Sequence, residues 1–180
     1  MSKSRRNEIN NLTLAAMLLA LGIVLPTITG PHLGSRLLPM HIPALLAGLV
    51  LGAKYGLVVG FLTPLLRSVT FGMPPLLPAA TAMAFEIGTY GLIAGLIYHQ
   101  VKQNVKTLYG ALIVAMIAGR LVFGVAMFVL LVGFGLGPGV YSLSIWIGSV
   151  FLTSWLGIAA QLAIIPGIVV ALGRSGLLRR

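Results

Sequence analysis

The stretch Gly52-Ala53-Lys54-Tyr55-Gly56 sits in the middle of an apolar run, 40–69, that is too long for one membrane crossing, and its reading decides the fold. A hydrocarbon core about 30 Å thick needs roughly 20 apolar residues as helix. The run is therefore either one span with a lysine stranded at its centre or two short spans joined by a glycine turn. Further charge-poor runs lie outward on both sides, at 12–28, 78–98, 108–132 and 144–172, so the alternatives are five spans or six. Lys and Arg accumulate on the cytoplasmic side of a membrane. Six spans with both ends inside place Lys3, Arg5, Arg6, Lys54, Lys102, Lys106, Arg174, Arg179 and Arg180 on the inner side and leave Arg36 and Arg67 outside. Five spans put Arg36, Lys102, Lys106, Arg174, Arg179 and Arg180 together on the outer side. The charges select an all-α membrane protein, a bundle of six transmembrane helices with both termini cytoplasmic.

The composition agrees. Of 180 residues 58% are apolar and 8% charged, whereas a soluble domain carries about a quarter charged residues. Twelve Lys and Arg against two acids, Glu8 and Glu86, would raise the question of nucleic acid. Nine of the twelve are absorbed by cytoplasmic anchoring, so the net charge of +10 reads as topology and no nucleic-acid partner is expected. The chain divides into a cytoplasmic segment 1–11, a membrane domain 12–172 and a basic tail 173–180. No small-residue cleavage site follows the first run, which is expected to remain in the mature protein.

The second and third spans, 40–52 and 55–69, are short: helices of 13 and 15 residues reach only about 20 and 22 Å. Such spans must borrow flanking residues or border a cavity. The segments 29–39, 70–77 and 133–141, rich in Gly and Pro, read as outer loops. Gly48, Gly52, Gly56 and Gly60, with Gly91 and Gly95, recur at four-residue spacing and mark helix contacts inside the bundle. Thr13, Ala16 and Ala20 form a similar small-residue stripe on the first span.

Ionisable groups inside a span cost at least about 2.5 kcal/mol on insertion scales, so each is a site candidate. Glu86, Arg67 and Arg120 qualify, with His41 and Gln161 as milder cases. Glu86 can pair with Arg67 or with Arg120, but one acid cannot neutralise both. Tyr90 lies one turn beyond Glu86; Phe123 and Met127, with Trp146, Ser149 and Thr153, are placed to line a small pocket opposite. No P-loop, paired-His zinc helix, Gly-x-Ser-x-Gly elbow or carboxylate pair occurs, and Cys is absent. The chain is expected to be neither an enzyme nor an ATPase, with no metal and no cofactor.

Several stretches together resemble the substrate-binding S component of an energy-coupling factor (ECF) transporter. They are Ala16-Met-Leu-Leu-Ala20, as the family's Ala-x-x-x-Ala motif, Leu38-Pro-Met-His-Ile-Pro-Ala-Leu-Leu-Ala-Gly-Leu, Lys54-Tyr-Gly-Leu and Pro64-Leu-Leu-Arg-Ser. Phe71-Gly-Met-Pro-Pro and Ala82-Met-Ala-Phe-Glu-Ile are similar to the hydroxymethylpyrimidine, pyridoxine or pantothenate branch. The resemblance covers about residues 10–172. It implies a subunit of the bacterial cell membrane that binds a vitamin or precursor from outside. It further implies docking through Ala16 and Ala20 to a transmembrane T component driven by two cytoplasmic ATPases. The ligand would lie where Glu86 and His41 fall, with Arg67, Arg120, Tyr90 and Trp146 as further binding candidates. A carboxylate such as Glu86 favours a protonated heterocycle, whereas an arginine suits the carboxylate of pantothenate, so hydroxymethylpyrimidine or pyridoxine is the favoured ligand and pantothenate the next. The competing readings are a self-sufficient small-solute transporter or channel, and a structural membrane subunit whose polar residues merely pair.

Overall fold

The computed structural model describes residues 3–136, 148 and 155–174. The described residues are mostly helical, without strands. The elements are α1 (Lys3–Leu37), α2 (His41–Leu51), α3 (Ala53–Phe71), a wide turn Leu76–Ala80 leading into α4 (Thr81–Gln100), α5 (Val105–Phe128) and α6 (Trp155–Arg174). A second wide turn, Val129–Gly133, extends α5.

The run 40–69 is two helices. Gly52 separates α2 from α3 at φ 104°, a conformation that only glycine adopts without strain, while its N–H still caps α2 on the Gly48 carbonyl at 3.1 Å. Gly52 thus leaves the packing stripe predicted for it: nothing lies within 4 Å of the place a side chain would take. α3 is longer than the 15-residue span expected, 19 residues or about 28 Å, because it starts two residues earlier, at Ala53, and continues to Phe71 before left-handed Gly72 stops it. α2 is the short helix, 11 residues or about 16 Å. The expected loop 29–39 is also corrected. Gly30 breaks α1 at φ 70°, and the helix resumes at Pro31, a residue suited to a first helical position because it has no N–H to leave unpaired.

Among the described residues, four segments are long and apolar enough to cross a membrane: Arg5–Gly30, Leu76–Gln100, Val105–Gly133 and Trp155–Arg174. With α2 and α3 packed among them, the chain is a multi-pass membrane protein. α4 is its hub, contacting α2, α3 and α5. Lipid gives little hydrophobic drive for helices to associate, so close backbone approach must hold them. A side chain on Gly48 would strike the Gly91 carbonyl, one on Gly91 the Gly56 carbonyl, and one on Gly60 the Ile87 carbonyl. Gly95 abuts the backbone of Ala53. The stripes read from the sequence are therefore one seam joining α2 and α3 to α4. Leu45, Leu49, Tyr90, Leu108, Leu112 and Ile165 fill the centre of the bundle.

α1 is attached differently. Only 11% of its apolar window is buried, against 56% for α4, and Leu12, Met17 and Val24 point outward. Ala16 and Ala20 lie on this outward surface, while Ala15 packs inward against Ala47 and Val59.

Candidate functional site

α4 turns one face to the glycine seam, another to α5 and a third, with Phe85 and Leu96, outward; Glu86 faces α5. Its Oε1 lies 3.2 Å from Arg120 Nη1 and accepts the Tyr90 hydroxyl at 3.2 Å. His41 Nε2, from the first turn of α2, is 3.7 Å away. All four residues are buried; none is more than 5% exposed. Between the two pairings open to Glu86, the structure takes Arg120.

Local backbone sets this arrangement. Glu86 and Tyr90 are four apart on one helix face, which brings carboxylate and phenol together. Leu38 has φ 50°, uncommon for a residue with a side chain, and its carbonyl accepts both His41 N at 3.1 Å and His41 Nδ1 at 3.2 Å. Nδ1 therefore carries a proton, and Nε2 is turned toward the carboxylate. The His41 and Tyr90 rings pack at 5.1 Å between centroids.

The residue that sequence reasoning missed is Gly119. A side chain there would overlap the Tyr90 ring and crowd the Glu86 carbonyl, so its absence lets α4 and α5 approach closely enough for Arg120 to reach Glu86. Its signal was the Gly119-Arg120 step itself, a glycine beside an intramembrane charge. Among the described residues, buried polar atoms without a hydrogen-bond partner are His41 Nε2, Arg120 Nε and both amide atoms of Gln161 inside the bundle, and Asn7 Oδ1 near the start of α1. Gln161 lies on the inward face of α6, one turn before Ile165, and its neighbours Ile158 and Leu162 border the same crevice as Arg120.

A cavity of about 610 Å³ opens above His41, at the end of the bundle where α1 breaks, α2 and α4 begin and α3 ends. Its walls are mainly apolar, from Pro26, Leu38, Met40, Phe71, Met73 and Met83, with His41 and Arg67 as the ionisable groups. Arg67 Nη1 donates to the Ile23 carbonyl at 2.6 Å, tying α3 to α1, and its guanidinium stands 5.1 Å from the centre of the Phe71 ring. His41 is thus shared between cavity and buried cluster, whereas Glu86, Tyr90 and Arg120 are absent from the cavity wall. Trp146, Ser149 and Thr153 lie outside the described residues. Phe123 and Met127 are half-buried on α5 and do not line this cavity. Among the described residues no group of three His, Asp or Glu could hold a metal ion.

The sequence model of the family described as ECF transporter, substrate-specific component, matches residues 10–169. No curated protein and no solved structure matches the chain. With the match spanning most of its length, the chain belongs to the family of ECF transporter substrate-specific components.

Proposed function

We propose that this member of the ECF substrate-specific family captures a vitamin or vitamin precursor in the cavity above His41 and delivers it inward when docked to a T component and two ATPases. The observation that carries the reading is the cavity itself. It is of metabolite size, apolar in its walls, and furnished with two ionisable side chains at one end of a membrane bundle. The charge pattern supports a cytoplasmic location for both termini and for the turn at Lys54; a bacterial cell membrane is what the family resemblance implies. The cavity end then faces outward, where a scavenged nutrient would arrive. Ala16 and Ala20, on the loosely packed α1, are the proposed contacts to the T component.

Hydroxymethylpyrimidine, pyridoxine and pantothenate are the candidates the sequence favours. The lean toward a heterocycle rested on Glu86 as the contact, and Glu86 is instead occupied by Arg120 and Tyr90. Mass spectrometry of small molecules released from gently purified protein, with thermal shifts against a vitamin panel, tests the reading. Release of a vitamin-sized molecule, or stabilisation by a panel member, is expected. No release and no stabilisation by any compound would refute it, and uptake into vesicles by this chain alone would favour a self-sufficient carrier.

A further inference from the structure

Resting on that reading of the cavity, we infer that its ligand is an anion, a carboxylate or a phosphate monoester, and that Arg67 is the group that selects it. The membrane domain holds two intramembrane arginines and one acid. The acid is engaged by Arg120, through a contact of 3.2 Å behind His41. Arg67 is left with the Ile23 carbonyl and the face of Phe71, and no carboxylate pairs with it among the described residues.

Arg67 is nevertheless 91% buried, its residue exposure being 9%. A guanidinium has five N–H donors in a planar fork. The Ile23 carbonyl occupies one of them, and Phe71 offers a π face, which attracts the cation but accepts no proton along the fork. Arg67 lines the cavity, so the donors left over have the cavity as their outlet. A cation with a single protein acceptor in a mainly apolar wall is otherwise left to the water of the cavity. An anionic ligand seated on the fork would complete it and neutralise the charge. Nothing among the cavity's lining residues competes for that role, since His41 is the other ionisable group there and is also basic.

The same geometry assigns His41 a second part. Its Nδ1 is fixed on Leu38 and its Nε2 is buried toward the Glu86 carboxylate at 3.7 Å, so the ring borders the anion site as a wall and leaves the polar contact to Arg67. Glu86, Arg120 and Tyr90 then act as positioning residues that hold the His41 ring from behind, and none of them touches ligand.

The test uses the full chain in detergent and matched probes that differ in charge: pantothenate with pantothenol, 4-pyridoxate with pyridoxine, and pyridoxal 5′-phosphate with pyridoxal. The first two pairs report on a carboxylate and the third on a phosphate. On at least one scaffold the anion should bind about 10- to 100-fold more tightly than its neutral partner, as expected for hydrogen bonds to a charged group. Arg67→Met should reduce that preference below about threefold, and Arg67→Lys should keep part of it, because Lys supplies the charge without the fork. Elution profile and thermal unfolding check that the variants are folded. The preference measured on the unaltered chain does not depend on them. Equal or tighter binding of the neutral partners would overturn the inference, as would a preference that survives in Arg67→Met.

If none of the six probes binds, the co-purified molecule decides. A small anion supports the assignment; a neutral or cationic molecule, or an anionic phospholipid alone, overturns it while leaving the binding reading to stand or fall on its own evidence. Absence of any bound small molecule, together with no stabilisation by any member of the vitamin panel, refutes the binding reading itself, and the anion assignment with it.

Discussion

Replacing Arg120 by methionine removes one partner of a buried pair and leaves the other in place. Glu86 is 2% exposed and would keep the Tyr90 hydroxyl at 3.2 Å and His41 at 3.7 Å, but no cation within direct contact other than a protonated histidine. Breaking a buried pair from one side typically costs about 3–5 kcal/mol, because the remaining charge has lost both its compensation and its solvent. The Tyr90 bond survives the change, so a loss near the lower bound, about 3 kcal/mol, is expected. The paired replacement Arg120→Met with Glu86→Leu removes both charges at similar volume and should come within about 1 kcal/mol of the unaltered chain, as hydrophobic replacements of buried pairs often do. The assay is equilibrium unfolding in mixed micelles of increasing SDS fraction, followed by circular dichroism, with Glu86→Leu completing the cycle. A loss below about 1 kcal/mol in Arg120→Met, or a paired variant no more stable than the single one, would show that Glu86 and Arg120 are not energetically coupled.

Two further outcomes follow from the packing. Gly91→Leu should prevent α3 and α4 from closing, because even the first carbon of the side chain would meet the Gly56 carbonyl; Gly110→Leu, on an open face of α5, should unfold at the same SDS fraction as the unaltered chain. Enlarging the outward stripe with Ala16→Leu and Ala20→Leu should abolish co-purification of the T component while ligand-induced thermal shifts persist. Loss of both together would contradict a separate docking surface on α1.

Much of the fold was legible because charge and glycine carry it. Lys54 between Gly52 and Gly56 cannot sit at mid-membrane, so the division into two helices followed from electrostatics alone. The 29–39 segment was misjudged because Gly30-Pro31 serves equally in a loop or in a sharp break between two helical pieces; the residues are the same, and only φ at Gly30 distinguishes them. At the site, the spacing of Glu86 and Tyr90 was visible as one helical turn. Which arginine meets Glu86 was not, since that depends on how closely two helices approach and in what rotation. The deciding residue, Gly119, contributes by having no side chain, which a search for chemically active groups passes over.

α4 carries its glycine seam on one side and its acid on another, and that division has a bearing on how the chain assembles in lipid. A bilayer-embedded helix meets few directional forces that fix its turn about its own axis, because hydrocarbon is the same on every side. A slip by one residue, about 100° of rotation, would lift Gly91 out of the Gly56 groove and swing Glu86 away from Arg120 at once. The misset helix would thus lose backbone contact and strand a carboxylate together, a penalty of at least about 2.5 kcal/mol for the acid alone. Glu86 in this sense works as an index mark, giving α4 a single azimuth in a solvent that supplies none.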